Sequence, residues 1–229
     1  MELTLEGTTL INGLKEVVDI EDQYLYPLIK SSRFKAPVTD TYSKYVIVTQ
    51  KSIREDTSHI EADAPKTWNY LMTYKEFFSK RKSSIYKDAP PFSMFGIGGY
   101  SYACYKVGVS GFYKKPLFSV LKSNDGKPVM ADDTCYFICF PSYNTAYTAM
   151  LILNSQRVQR FLLTIAFLDA KRPFTKKVLG RIDFHKILHV IQEKELIETE
   201  RQLGLQGYYR EGMLADFEKL PELRPGTCF

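Results

Sequence analysis

The hydrophobic pattern changes its period about two thirds of the way along the chain. Before Asn144, short stretches with strand patterns alternate with turns. Examples are "KYVIVTQ" (Lys44–Gln50), which is rich in β-branched residues, and "TCYFICF", an alternating apolar run, and both predict strands. From Asn144 onward, "AYTAMLILNSQRVQRFLLTIAFLDA" predicts two helices that meet near Asn154–Ser155, and a charged amphipathic helix is expected over Ile187–Leu203. The sequence therefore predicts an α+β fold, with a central mixed or antiparallel sheet, surrounding helices and a helical C-terminal third.

Four further segments refine this expectation. Residues 3–11 alternate weakly and predict an opening hairpin or a strand of a larger sheet. "DIEDQYLYPLIKSS" predicts a short helix with acids in its first turn, and Ala64–Arg81 predicts a helix with Pro65 in its first turn. The Asp-Gly pair in "SNDGK" indicates a tight hairpin turn.

The glycine-rich stretch "PPFSMFGIGGYSYACYKVGVSG" (Pro90–Gly111) does not match a cofactor loop. After Gly96 and Gly98, the third glycine position of the dinucleotide fingerprint is Ser101, and a tyrosine-rich strand is expected where a helix should begin. The Walker lysine loop, Gly-x-Ser-x-Gly and HExxH are also absent from the sequence. We therefore expect no catalytic residue and no cofactor site in this chain.

A metal site is not expected either. The four cysteines form no CxxC pair, and Cys135 and Cys139, four apart in a predicted strand, are interpreted as buried apolar fillers in a reducing compartment. His185 and His189 have the spacing of two metal ligands on a helix, but no third ligand lies nearby in sequence. The N-terminus lacks a signal-peptide pattern and no stretch is apolar enough to span a membrane, so a cytoplasmic protein without a membrane partner is expected.

The positive charge is concentrated in the middle of the chain. The net charge of +5 divides into −5 for residues 1–29, +9 for residues 30–127 and +1 for residues 128–229. A concentrated basic region attracts polyanions and makes their binding salt-dependent. The middle block also contains the glycine-rich stretch, whose glycines are expected to allow a tight turn and a close backbone approach.

Several ordered motifs resemble the target-recognition domain of bacterial adenine-specific DNA methyltransferases of restriction-modification systems. They are Lys-Ser-Ser-Ile-Tyr, Pro-Pro-Phe-Ser-x-Phe-Gly, Asp-Asp-Thr-Cys-Tyr-Phe, Leu-Asn-Ser and Asp-Ala-Lys-Arg-Pro. The resemblance covers about residues 20–188, and the "LILNSQRVQRFL" helix pair is more loosely similar to the specificity subunits of multi-subunit restriction enzymes.

The resemblance implies a division of the chain and a set of partners. Residues 1–20 would be lead-in strands toward a catalytic half, residues 21–188 the recognition domain, and residues 189–229 a C-terminal helix and tail. Duplex DNA and a methyltransferase catalytic domain or subunit are the implied partners. S-adenosylmethionine would bind in that catalytic half, because the methyl-donor-binding sheet and the Asn/Asp-Pro-Pro-Tyr loop do not occur in this chain. A free-standing specificity subunit and a protein–protein interaction module remain alternatives.

Three groups of residues are the candidate DNA contacts. Cations and hydroxyls at a helix end and past a glycine turn suit phosphate contact, whereas side chains sharing one strand face suit base contact. A second basic pair, held before Pro173, is equally compatible with a helix C-cap. The candidates are Lys80, Arg81, Lys82, Ser83, Ser84, Lys114 and Lys115 for phosphate; Tyr100, Tyr102 and Lys106 for the strand face; and Lys171 and Arg172 as the second basic pair.

Overall fold

The computed structural model describes residues 1–52 and 54–220, and these residues divide into two compact units built from interleaved segments. Unit 1 consists of Met1–Leu28, Thr41–Tyr102 and Asn124–Met130. Unit 2 consists of Ile29–Asp40, Ala103–Ser123 and the described residues from Ala131 onward. The functional division at residues 20 and 188 stays a prediction, and Cys228 and the two prolines of the predicted tail lie outside the described residues.

Strands and short helices are mixed along the first two thirds of the chain, and from Tyr143 onward the described regular elements are all helices. The strands are β1 (Glu2–Glu6), β2 (Thr9–Ile11), β3 (Val17–Val18), β4 (Leu25–Ile29), β5 (Val38–Thr39), β6 (Lys44–Ile47), β7 (Tyr105–Ser110), β8 (Ser119–Lys122), β9 (Met130–Ala131) and β10 (Cys135–Phe140). The helices are α1 (Ile60–Asp63), α2 (Pro65–Thr73), α3 (Lys75–Ser79), α4 (Tyr143–Asn154), α5 (Gln156–Ile165), α6 (Lys176–Leu179), α7 (Phe184–Leu188), α8 (Glu193–Gln202) and α9 (Met213–Glu218). The predicted α+β class and the helical C-terminal third are confirmed.

Unit 1 is built on a six-stranded sheet in the order β3-β2-β1-β6-β4-β9. The predicted opening hairpin is confirmed: β1 pairs antiparallel with β2, and Gly7 turns between them at φ 62°. The inward side chains Leu3, Leu25 and Ile47 form one apolar cluster of this unit. Among the described residues, two sheets thus replace the predicted single central sheet, and the sheet of unit 1 has more strands.

The helix predicted for "DIEDQYLYPLIKSS" is wrong. A single 3-10 turn covers Asp22–Tyr24, and the chain then continues as β4, in which Leu25 pairs with Ile47 of β6. Pro27 explains the difference, because proline disfavours the helical conformation at the preceding residue and removes a helix hydrogen bond. The apolar run around it is buried in the sheet instead.

The predicted helix Ala64–Arg81 forms as two helices. Pro65 is the first residue of α2, as expected, but the helix ends at Thr73, and α3 begins after Tyr74. The N-terminus of α2 is capped from a distant segment: the Glu21 carboxylate accepts hydrogen bonds from the backbone N–H groups of Lys66 and Thr67, at 2.8 and 2.7 Å. Desolvation alone would raise the pKa of Glu21, but these bonds and that of the Thr67 hydroxyl lower it to about 2.

Unit 2 is built on a mixed four-stranded sheet in the order β10-β7-β8-β5, with the helices of the C-terminal third around it. Helix α4 is its central helix, since every residue from Ala146 to Leu153 is buried, as is usual for a helix that is apolar on all sides. Its N-terminus carries a capping box between Ser142 and Thr145.

The two helices predicted to meet at Asn154–Ser155 do so, and the Ser155 hydroxyl caps α5. The single helix predicted over Ile187–Leu203 is wrong. Helix α7 ends at Leu188, and α8 begins after Gln192, whose backbone is extended at φ −124° and ψ 152°. Ile191, in the non-helical connection, is buried in the core of unit 2, so tertiary packing prevails over the helical pattern here.

Candidate functional site

The predicted contact residues are divided between the two units. Lys80, Arg81, Lys82, Ser83, Ser84, Tyr100 and Tyr102 lie in unit 1, and Lys106, Lys114, Lys115, Lys171 and Arg172 lie in unit 2. The units also differ in net charge: the described residues sum to −2 in unit 1 and to +7 in unit 2. The +9 block of the sequence is therefore not one positively charged region of the fold.

In unit 1, Arg81 is engaged by its own unit. Its guanidinium carbon lies 3.8 Å from the centroid of the Tyr86 ring, and Nη1 donates to the backbone oxygen of Ser93 at 2.6 Å. Nε also donates to the carbonyl of Phe78 at 3.1 Å. These contacts tie the end of α3 to the segment that enters the glycine-rich stretch, so Arg81 has a structural role there.

The neighbours of Arg81 are exposed. Lys80 forms an i,i+4 ion pair with Glu76 at 3.4 Å, which is worth little at such an exposed position. Lys82, Ser83 and Ser84 are exposed, and the Ser83 hydroxyl accepts a hydrogen bond from the backbone N–H of Ile85. Their predicted contact with DNA phosphate stays a prediction.

The prediction that Tyr100, Tyr102 and Lys106 share one strand face is wrong. Gly99–Tyr102 is a 3-10 helix, and the strand begins only at Tyr105. The glycines explain this local structure: Gly96 has φ 76°, and a Cβ at Gly98 would lie 3.0 Å from the Tyr100 ring. Tyr100 thus folds back over the glycines, and its hydroxyl donates to the carbonyl of Gly96 at 2.7 Å.

Tyr102 is half-buried and supports the strand region of unit 1. Its hydroxyl donates to the backbone oxygen of Gln50 at 2.7 Å, and its ring meets Tyr26 edge-on. Burial raises the pKa of the Tyr102 phenol. A cavity of about 330 Å³ lies beside these rings, but the amide of Gln50, which lines it, is already bonded at both ends to the backbone of Met94. These contacts favour a structural role for Tyr102.

Lys106 is buried in the sheet of unit 2. It is 1% exposed, Nζ donates to the carbonyl of Ala103 at 2.8 Å, and the ammonium lies 5.6 Å from the centroid of the Phe137 ring. Burial lowers the pKa of this ammonium from 10.5 to about 8. An ammonium in this position does not reach a phosphate outside the unit, so the expected surface position of Lys106 is wrong.

The remaining basic candidates of unit 2 come together from two loops. The Arg172 guanidinium lies over the Phe112 ring, 5.0 Å from its centroid, and pairs with Asp133 at 3.5 Å. Lys114 lies 3.9 Å from Asp169. Loop 112–115 therefore adjoins loop 169–172, which brings Lys114, Lys115, Lys171 and Arg172 into one basic region.

The helix C-cap interpretation of the Lys171–Arg172 pair is wrong. Helix α5 ends at Ile165, and its C-cap is Ala166, whose N–H donates to the carbonyl of Leu162. The pair follows a turn in which the N–H of Ala170 donates to the carbonyl of Phe167 at 3.1 Å. Lys171 is exposed, and Arg172 is half-buried.

A groove of about 950 Å³ begins at this basic region; we call it the basic groove. It is lined by the C-terminal end of α5, by loop 166–175 and by the segment from α6 to the start of α7. Its side chains include four cations and a single acid: Arg172, Lys177, Arg181, Lys186 and Asp183. Within the described part of the chain, Lys177 and Arg181 form no ion pair, whereas Lys186 lies 3.7 Å from Asp183.

The same groove has an exposed apolar wall. Phe161 and Ile165, on one face of α5, are 42% and 39% exposed, and Phe167 is 71% exposed. The adjoining face of α5 packs into the core through Val158 and Leu162. The combination of unpaired cations with exposed aromatic rings is suited to a polyanion that also presents apolar surface.

The sequence reasoning missed Lys177, Arg181 and Lys186. The last block of the chain sums to +1, but residues 157–186 alone contain eight lysines and arginines against two aspartates, a net charge of +6. An acidic stretch follows, with a net charge of −3 over residues 187–229. A shorter window for the charge sum would have found this region.

The chain is similar to a curated protein, the Type II methyltransferase M.NspV of Nostoc sp. (strain ATCC 29411 / PCC 7524). The two are 40% identical over 191 residues, which is 83% of this chain but 40% of that protein. The chain thus corresponds in sequence to less than half the length of its methyltransferase relative. No family model matches the chain.

Among solved structures, the chain is similar to the Type IIL restriction-modification enzyme MmeI in complex with DNA. The sequence identity is 12% and the TM-score 0.40, with 86% of this chain and 30% of that chain covered. A likeness of this degree carries no argument about function. In the described ranges, no helix has the length and apolar character needed to cross a membrane, and no three potential metal ligands cluster.

Proposed function

We propose that this chain is the DNA target-recognition part of an adenine-N6 DNA methyltransferase or of a fused restriction-modification enzyme. The observation that carries the proposal is the basic groove, which lies within a chain that is 40% identical to part of a Type II methyltransferase. Duplex DNA binds to proteins mainly through cations that neutralise its phosphates. Unit 2, with its net charge of +7, supplies such cations.

The proposal divides the reaction between this chain and a catalytic partner. The chain contains neither the Asn/Asp-Pro-Pro-Tyr/Phe tetrapeptide nor a glycine fingerprint for a nucleotide cofactor. S-adenosylmethionine and methyl transfer therefore belong to a catalytic domain or subunit, and this chain supplies affinity and sequence specificity. The phosphate contacts are Lys114, Lys115 and Lys171 together with Lys177 and Arg181 of the basic groove.

Fluorescence anisotropy with duplex DNA tests the proposal. Non-specific binding of this kind has a dissociation constant of about 10⁻⁴–10⁻⁶ M and weakens steeply as the salt concentration rises. We expect the double variant Lys171→Gln/Lys177→Gln to reduce the slope of log affinity against log salt by roughly two units, because each lost phosphate contact removes about 0.9.

The matched control removes the same two charges elsewhere. Lys75 and Lys194 are exposed lysines, on α3 and α8, outside the basic groove. Lys75→Gln/Lys194→Gln should leave the slope unchanged. Equal losses in the two double variants would show that binding follows net charge rather than the groove. If the chain binds no duplex even at low salt, the proposal is refuted and a protein–protein interaction module becomes the better explanation.

A further inference from the structure

The apolar wall of the basic groove is exposed to solvent. A surface that bound only phosphates would not need exposed apolar side chains. Phe167 is 71% exposed and lies between the end of α5 and the turn that precedes Lys171. Phe161 and Ile165 continue the same wall. Exposed apolar side chains that line a groove together mark a binding surface.

The charge of the groove restricts what this surface binds. Four cations and one aspartate surround the wall, so its occupant carries negative charge. A planar apolar group is also needed to cover the two phenylalanine rings. Nucleotides have both properties, because each base has a π-face and each linkage has a charged phosphate.

In a regular duplex the base faces are stacked on one another and are not available to a protein. A nucleotide that has left the stack exposes its face, and enzymes that modify bases unstack their target. We propose that the basic groove binds an unstacked nucleotide, with its base stacked on Phe167 and its flanking phosphates on Lys177 and Arg181. This inference rests on the proposed function. It adds that unit 2 binds DNA in which a nucleotide has left the base stack.

Anisotropy titrations with two DNA probes test it: a perfect duplex, and the same duplex with two unpaired nucleotides bulged from one strand. The unmodified chain should bind the bulged duplex at least about fivefold more tightly, since stacking of one base on an aromatic ring is worth ~1–3 kcal/mol. Phe167→Ala should abolish this preference for the bulged duplex. Phe167→Leu should behave like Phe167→Ala, because leucine keeps apolar surface but has no ring.

Phe77→Ala is the matched control, because Phe77 of unit 1 is an equally exposed phenylalanine (65%) outside the groove. The control should retain the preference for the bulged duplex. Equal affinity of the unmodified chain for both probes overturns the inference while leaving the proposed function intact. An unchanged preference in Phe167→Ala also overturns it, and would make the apolar wall a surface for an acidic protein instead. Failure of the unmodified chain to bind either probe refutes the proposed function itself.

Discussion

Units 1 and 2 use their basic and aromatic side chains differently. In unit 1, Arg81, Tyr100 and Tyr102 are bonded to backbone oxygens of the same unit, and the unit has a net charge of −2. In unit 2, the net charge is +7, and cations such as Lys177 and Arg181 lie on a groove without an acidic partner among the described side chains. Basic and aromatic side chains thus stabilise the fold of unit 1, whereas in unit 2 the cations of the groove remain available to a ligand.

The comparison shows that a charge sum has meaning only over residues that fold together. The +9 block of residues 30–127 contains parts of both units, so its excess is not a surface property. Salt-dependent attraction of a polyanion depends on charges that are close in space, within about 10 Å at moderate salt. Because the two units are built from interleaved segments, residues that are close in this sequence often lie in different units.

The largest expected effect concerns the way each unit uses a carboxylate that bridges distant segments. Glu200 of unit 2 is 4% exposed, and its Oε1 accepts from the Tyr147 hydroxyl and from the N–H of Tyr209, both at 2.7 Å. Glu200→Ala leaves two buried donors without a partner, which should lower the free energy of unfolding by about 3 kcal/mol in a urea titration.

Glu21→Ala is the control from unit 1. Glu21 also accepts several hydrogen bonds, but its side chain is only partly buried, and the expected loss is about 1 kcal/mol, as for other helix caps. Glu200→Gln, which keeps an acceptor oxygen, should be milder than Glu200→Ala. Equal losses for Glu21→Ala and Glu200→Ala would contradict the difference in burial on which the comparison rests.

The next effect separates the buried charge of unit 2 from its exposed charge. The Lys106 ammonium has a pKa of about 8 in the folded chain against 10.5 ordinarily, so the folded state binds fewer protons between these values. The contribution of Lys106 to the free energy of unfolding therefore rises with pH in this window. It is lowest below pH 8, where the buried amine is charged. From about pH 8 to about pH 9.5 the gain should be roughly 1.5 kcal/mol.

This gain is measured as the difference between the unmodified chain and Lys106→Met, by urea unfolding at each pH. The difference is needed because burial raises the pKa of Cys135 to about 12, and a raised thiol pKa makes stability fall as the pH rises above 9. Lys194→Met, which removes an exposed lysine, should leave the profile unchanged. If Lys106→Met weakened DNA binding as much as loss of a groove lysine does, the burial of Lys106 would not describe the chain in solution.

Much of the fold could be predicted from the sequence, because local signals agree with tertiary packing there. The opening hairpin, the strand at Lys44, Pro65 at the start of α2 and the helix junction at Asn154–Ser155 all follow from such signals. The errors fall where packing or a proline overrides the pattern: Pro27 lies in a strand, and Ile191 is buried between two short helices. The interleaving of two units has no signature in a single sequence.

The candidate site was less predictable. The basic pairs at Lys114 and Lys171 were found from composition, and the structure brings their loops together. The strand-face prediction failed because it assumed that a regular strand follows the glycines, whereas Gly96 turns the chain at φ 76° and a 3-10 helix follows over Gly99–Tyr102. Burial of Lys106 depends on side chains from other strands, which spacing alone does not reveal.

The smallest expected effect on stability contrasts two arginines, one from each unit. Arg81 is expected to contribute to stability and Arg181 to DNA binding. Arg81→Ala removes a guanidinium that stacks on Tyr86 and donates to Ser93, so it should destabilise the chain by about 1 kcal/mol. It should leave the salt slope of DNA binding unchanged. Arg181→Ala should do the reverse: it should change stability by less than about 0.5 kcal/mol and lower the salt slope by about one unit.

Both properties are measured on the same two variants, by urea unfolding and by anisotropy at salt concentrations from about 50 to about 200 mM. The crossed result cannot arise from a general loss of positive charge, because each variant removes one arginine. A lower salt slope in Arg81→Ala would mean that its guanidinium leaves Tyr86 to meet phosphate, and unit 1 would then share DNA binding. A destabilised Arg181→Ala with an unchanged slope would move the DNA-binding surface away from the basic groove, even though unit 2 holds the positive charge.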